Sequence, residues 1–220
     1  VTAAPLVGWY LHDHGAGHLT RFLAVRPHLD ADVVVFSSLA RPGTLPARTE
    51  WVQLAPDNEP EVSVSGEVRH PSDADPTAGG LLHWAPLGHR GHASRLGVIA
   101  AALGSRAFAT VVVDVSAEVT LLVRLMGVAP VIVTQPGDRS DRPHALAFDA
   151  AERIIAPWPD GRPLAPSLAA VARKVAAVGG ISRFDGRASG GAGARTDGGV
   201  LPLGGGGAAP VTAGPGSYTH

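Results

Sequence analysis

Three histidines and an aspartate crowd one short stretch, His12-Asp13-His14-Gly15-Ala16-Gly17-His18, directly after the apolar run Leu6-Val7-Gly8-Trp9-Tyr10-Leu11. An imidazole titrates near neutrality, with an ordinary pKa of about 6.5, so His18 beside a hydroxyl substrate could take its proton. Gly15 and Gly17 permit tight backbone geometry and close approach of a ligand. The amides near Gly17, His18 and Leu19, at a helix start, could face an anion. Two other chemistries compete. His12, Asp13, His14 and His18 are all good ligands for a first-row metal, but their spacing matches no zinc signature, so no metal is expected. Gly15-Ala16-Gly17-His18-Leu19-Thr20 puts Thr20 where a dinucleotide fingerprint needs a third glycine or an alanine, and Asp32 is closer than the usual ribose-binding acid. No cofactor is expected. A structural turn carrying exposed histidines is the plain alternative.

Further candidates stand at the ends of later apolar runs. Asp114 and Ser116 follow Thr110-Val111-Val112-Val113, where open α/β sheets place ligand contacts. Asp114 could orient a histidine, bind a hydroxyl, or cap the next helix. Glu118 suits the positive end of that helix and reads as structural. Thr134 and Gln135 close the next run and are neutral groups suited to a polyhydroxy substrate, although a Pro-Gly loop needs no ligand to explain it. His144 could approach the same edge. There is no nucleophile elbow and no Gly-Lys-Ser/Thr phosphate loop.

The elements that must position these residues alternate. Leu6–Leu11, Ala31–Ser38, Trp51–Leu54, Thr110–Val115, Ala129–Thr134 and Arg153–Ala156 read as buried strands. Helices are predicted over Leu19–Leu29 (kinked or shortened by Pro27), Ser94–Phe108, Ala117–Met126, His144–Ala151 and Leu168–Val178. Residues 55–80, punctuated by Pro56, Pro60, Pro71 and Pro76, predict a long loop over the sheet's edge. Strands separated by helices imply crossovers, so the expected fold class is α/β, a doubly wound and mostly parallel sheet. Residues 1–160 form the expected Rossmann-like domain, and 161–199 a helix and Gly-rich linker. Residues 200–220, with Val200-Leu201-Pro202-Leu203 before four glycines, read as the truncated start of a second α/β unit or as a tail.

Composition narrows the class further. The 220 residues carry a formal charge of -1, which argues against binding nucleic acid by phosphate neutralisation. There is no cysteine, which excludes thiolate metal sites and cysteine nucleophiles. Lys174 is the single lysine beside 17 arginines, so arginine choice looks like a chain-wide bias and individual arginines are discounted. No apolar stretch reaches the roughly 18 residues of a membrane span, so a cytoplasmic protein without strong membrane affinity is expected.

Four segments, in order, resemble a known family. His14-Gly15-Ala16-Gly17-His18-Leu19, Val113-Asp114-Val115-Ser116-Ala117, Gly127-Val128-Ala129-Pro130-Val131-Ile132-Val133-Thr134-Gln135 and Gly180-Ile181-Ser182-Arg183-Phe184 are similar to the amino-terminal half of GT-B glycosyltransferases. The particular likeness is to the MurG family of peptidoglycan N-acetylglucosaminyltransferases (family 28 type). The resemblance implies transfer of a hexosyl group, N-acetylglucosaminyl or related, from a UDP-sugar to a hydroxyl acceptor with inversion. It implies an acceptor-side domain here and a donor domain that is largely missing, so the fragment alone is expected to be inactive. His18 becomes the candidate general base or orienting group, with Asp114 as its catalytic companion. His14, Gly15, Gly17, Ser116, Thr134 and Gln135 become substrate contacts. A nucleotide-sugar epimerase of the same fold and a non-catalytic binding domain are the alternative readings.

Overall fold

The structure is a computed structural model that describes residues 3–182 and 184. The expected linker to residue 199 and the second unit expected over 200–220 lie outside the described residues. In chain order the elements are β1 (Leu6–Tyr10), α1 (Gly17–Val25), β2 (Asp32–Ser37), β3 (Thr49–Gln53), β4 (Glu61–Val62) and β5 (Val68–Arg69), followed by α2 (Arg90–Ser105), β6 (Phe108–Asp114), α3 (Ala117–Leu125), β7 (Pro130–Val133), α4 (Arg142–Ala150), β8 (Arg153–Ala156), α5 (Pro166–Ala169) and β9 (Val175–Ala177). Seven strands form one sheet in the order β3-β2-β1-β6-β7-β8-β9. Every neighbouring pair in it is parallel. The doubly wound α/β fold expected from the alternating pattern is therefore present. Strand order reverses between β1 and β6, and the crevice outside their carboxyl ends is where such sheets hold ligands.

Period-two alternation divides the core between the two faces. Trp9, Val33, Val35 and Val112 pack with Phe22 of α1 on one side. Tyr10, Val34, Phe36, Val111 and Val113 pack with Ile99 and Leu103 of α2 and Val119 and Val123 of α3 on the other. A third cluster joins Ile132 and Ile154 to Ala147 and Phe148 of α4 and Leu168 of α5. Gly8 lies opposite Val111 in the ladder, and a Cβ there would come within 2.9 Å of the Val111 side chain. Glycine at this position lets the two central strands approach with valine on one of them.

Three expectations need correction. The helix expected over Leu168–Val178 is instead the single turn α5, a 3-10 turn at Ala172–Lys174 and the strand β9. β9 pairs with the open edge of β8, and that ladder decides for a strand. The sheet thus runs past residue 160. The long loop at 55–80 contains a small hairpin of β4 and β5 and a 3-10 turn at Pro71–Asp73. Discounting individual arginines also fails. Arg26 is 4% exposed and donates to the carbonyls of Leu29, Ala31, Ala47 and Arg48 and to the Thr49 hydroxyl, tying the starts of β2 and β3 to the end of α1. Pro27 acts as expected: α1 ends at Val25, and a 3-10 turn follows at Arg26–His28. Among the described residues no helix is long and apolar enough to cross a membrane.

Candidate functional site

Two segments meet at the switch point: the turn leaving β1 and the turn leaving β6. Gly15, at φ 80°, takes the left-handed conformation that brings the first turn round into α1. Gly17 needs no such freedom, being the first residue of α1 with open space where a Cβ would stand. No side chain caps this helix, so its first amides present the positive end of the helix dipole on the crevice side. After β6, Val115 has φ 65°, a strained state for a β-branched residue that costs on the order of 1–3 kcal/mol. That turn separates two neighbours by role. Asp114 faces α1, while Ser116 caps α3 by accepting from the Val119 amide.

Asp114 is fully buried and sits against His18 and Arg21. These two are three residues apart and share one face of α1. His18 Nδ1 lies 3.0 Å from one carboxylate oxygen, and the Arg21 guanidinium pairs with the other. The imidazole is turned off the line of a hydrogen bond: both the Nδ1 atom and that oxygen are buried without completing one. A small ring rotation would align them. Helix capping by Asp114, one of its possible roles, falls to Ser116.

Two cavities open at the crevice. One, of about 190 Å³, is lined by Tyr10, His12, Asp57, Trp84, Arg95 and Ser116 among others, and His14 reaches its rim. The second, of about 310 Å³, is lined by His12, Trp84, Ser116, Thr134, Gln135 and Arg139 among others. His12 borders both. His18 borders neither, and its ring centre lies 5.7 Å from that of His12. The residues named from sequence therefore fall into layers: Asp114 deepest, His18 against it, and His14, Ser116, Thr134 and Gln135 on cavity walls. Gln135 is held by Arg139, which donates to its side-chain oxygen at 3.1 Å.

Charge around the first cavity is closely paired. The His12 ring, 3.2 Å from Asp13, holds the Asp13 carboxyl well below the usual range, and Ser38 adds a hydrogen bond at 2.9 Å. Burial works to raise Asp57, but the His92 ring and the Arg95 guanidinium outweigh it, so that carboxyl also sits below its ordinary value. Arg95 is 3% exposed and donates to the Tyr10 hydroxyl at 2.9 Å. Burial pushes the Tyr10 phenol above its usual value, so it stays protonated as a hydrogen-bonding group. Glu118 accepts from the amides of His83 and Trp84 at 2.7 and 3.0 Å, holding that segment across the crevice.

Sequence reasoning missed His12, Trp84, Asp57 and Arg95 as cavity groups. His12 entered only as a metal ligand or a flanking histidine, and Arg95 was discounted with its class. Trp84 and Asp57 sit in an irregular segment without any period to flag them.

No family model matches the sequence, and no curated protein matches it either. Solved structures do. A UDP-glucosyltransferase from Polygonum tinctorium capable of glucosylating indoxyl, in complex with 3,4-dichloroaniline, superposes with a TM-score of 0.50 at 18% identity, over 83% of this chain and 53% of that one. The fold is GT-B-like. It is similar to about half of that UDP-glucosyltransferase, and the match is not specific to the peptidoglycan branch. Apo UGT2 from Phytolacca americana gives a TM-score of 0.39 at 14% identity, over 70% of this chain and 46% of that one. The present chain spans about half the length of the matched structures.

Proposed function

We propose that this chain is the acceptor-side half of an inverting glycosyltransferase, which moves a hexosyl group from a UDP-sugar to a hydroxyl acceptor. The observation that carries the reading is the buried His18–Asp114 contact at the switch point of a GT-B-like half. His18 serves as general base: Nε2 takes the acceptor proton as the oxygen attacks the anomeric carbon and UDP departs. Asp114, beside Nδ1, fixes the tautomer and stabilises the imidazolium that forms. Arg21 shares the carboxylate and fixes its orientation. The acceptor enters from the two cavities past His12, with Ser116, Thr134 and Gln135 along its path and the turn at His14, Gly15 and Gly17 beside it. A second domain supplies the donor contacts, so residues 1–220 alone are expected to transfer no sugar.

The test is turnover by the full-length protein with a UDP-hexose and a panel of hydroxyl acceptors. General-base catalysis contributes about 10²–10⁴-fold, so His18→Ala should lower kcat by that factor while the far-ultraviolet circular dichroism is kept. Asp114→Asn should lower it as well, and His12→Ala should raise KM more than it lowers kcat. If His12→Ala costs more in kcat than His18→Ala, the base is His12 and the assignment is wrong.

A further inference from the structure

We propose that His83, Asp141 and His144 form a binding site for a divalent transition-metal cation of the zinc type. The three side chains come from separate places: His83 from the segment crossing the crevice, and Asp141 and His144 from the amino end of α4. Their donor atoms all lie within 4.8 Å of one another. His83 Nε2 is 3.1 Å from Asp141 Oδ1, and His144 Nδ1 is 2.8 and 2.7 Å from the two carboxylate oxygens. Ligands bound tetrahedrally at about 2.0–2.1 Å from a zinc ion stand about 3.3 Å apart, so the histidine–carboxylate spacings would open by about 0.2–0.6 Å, and the two ring nitrogens, within 4.8 Å of each other, would adjust to the same spacing to admit the ion.

Crowding at Asp141 points the same way. The His83 ring, the His144 ring and the His144 amide all approach the single oxygen Oδ1, at 3.1, 2.8 and 3.1 Å. Two imidazoles converging on one carboxylate supply two neutral nitrogen donors and one anionic oxygen, a set that suits zinc, cobalt or nickel over magnesium or calcium. The rings are already oriented. Their centres lie 4.5 Å apart, His144 packs on Phe148 at 5.9 Å, and the His83 backbone is pinned by Glu118. His83 and His144 also line the 310 Å³ cavity, which leaves room for water or a substrate oxygen at the remaining coordination position. Half-exposed Asp141 gives an entry path. A bound ion would clasp the segment carrying Trp84 to α4. This inference stands independently of the sugar-transfer reading.

The test titrates cobalt(II), a spectroscopic stand-in for zinc, into the protein at neutral pH. One equivalent should bind with the visible bands of four- or five-coordinate cobalt and be displaced by zinc. His83→Gln and His144→Ala should each weaken binding by more than the roughly 10–100-fold that loss of an outer-shell partner costs. Asp141→Asn, which keeps the helix cap, should weaken it too. His14→Ala, in the separate His12-Asp13-His14 group, should leave affinity unchanged. In the unaltered protein, zinc should shield His83 and His144 from diethyl pyrocarbonate, mapped by mass spectrometry. The proposal is overturned if no stoichiometric binding occurs, if binding survives His144→Ala, or if the shielded residues are His12 and His14.

Discussion

His18 and Arg21 meet Asp114 from adjacent positions on one face of α1, and the valine after Asp114 is held in a strained turn to bring them together. Under the proposed function this sets a carboxylate beside Nδ1 of the base, with an arginine on the other carboxylate oxygen. The neighbouring Asp13 works differently. Its carboxyl is held low mainly by the His12 ring, so its folded-state pKa lies below the ordinary 3.8. A depressed carboxyl contributes stability that is complete above the unfolded value and disappears as pH falls through the folded one. Stability should therefore fall as pH drops below about 4, and Asp13→Asn should flatten that part of the curve in acid denaturation followed by circular dichroism. An unchanged acid limb in the variant would mean that the His12–Asp13 pair contributes nothing. Much of this layer was legible: the histidine turn and Asp114 are named by their positions at strand ends. Their partnership was not, because the Arg21–Asp114 contact spans 93 positions and the Arg95–Tyr10 contact 85.

Glu118 is one of the anchors of the segment that crosses the crevice. Glu118 was read as a helix-dipole residue, and it does stand in the first turn of α3, but its Oε1 accepts the amides of both His83 and Trp84. Hydrogen bonds to a charged acceptor contribute about 1.5–3 kcal/mol each, so Glu118→Ala should speed amide exchange at residues 83 and 84 by about 10-fold or more. Exchange in β6 should stay as it was. Equal protection in the variant would show that Trp84, whose ring nitrogen donates to the Asp57 carbonyl, anchors the segment without Glu118. Strands with runs of valine and isoleucine announced themselves, and so did helices with apolar residues three and four apart. β9 did not: Val175-Ala176-Ala177 carries no pattern that separates strand from helix, and only the free edge of β8 decides between them. The hairpin of β4 and β5 was hidden for the same reason, two residues a side being too short for any period.

Among the described residues the candidate site occupies the carboxyl end of the sheet. The cavities at the switch point are lined from the carboxyl ends of β1, β6 and β7, from α2, α3 and α4, and from the segment crossing over them. At the opposite end Arg26 clamps backbone carbonyls, and a cavity of about 430 Å³ is lined by Arg124, Glu152, Arg153 and Lys174 among others. The chain spans 53% of the matched glucosyltransferase, and under the proposed function His18 and Asp114 serve the acceptor side alone. Product analysis reads out transfer to an acceptor hydroxyl. Full-length protein is incubated with an α-linked UDP-hexose, with and without a hydroxyl acceptor, and the products are resolved by proton NMR. A β-linked glycoside should form only when acceptor is present and be lost in His18→Ala. An epimerised UDP-sugar formed without acceptor, or an α-linked product, would contradict the proposed function.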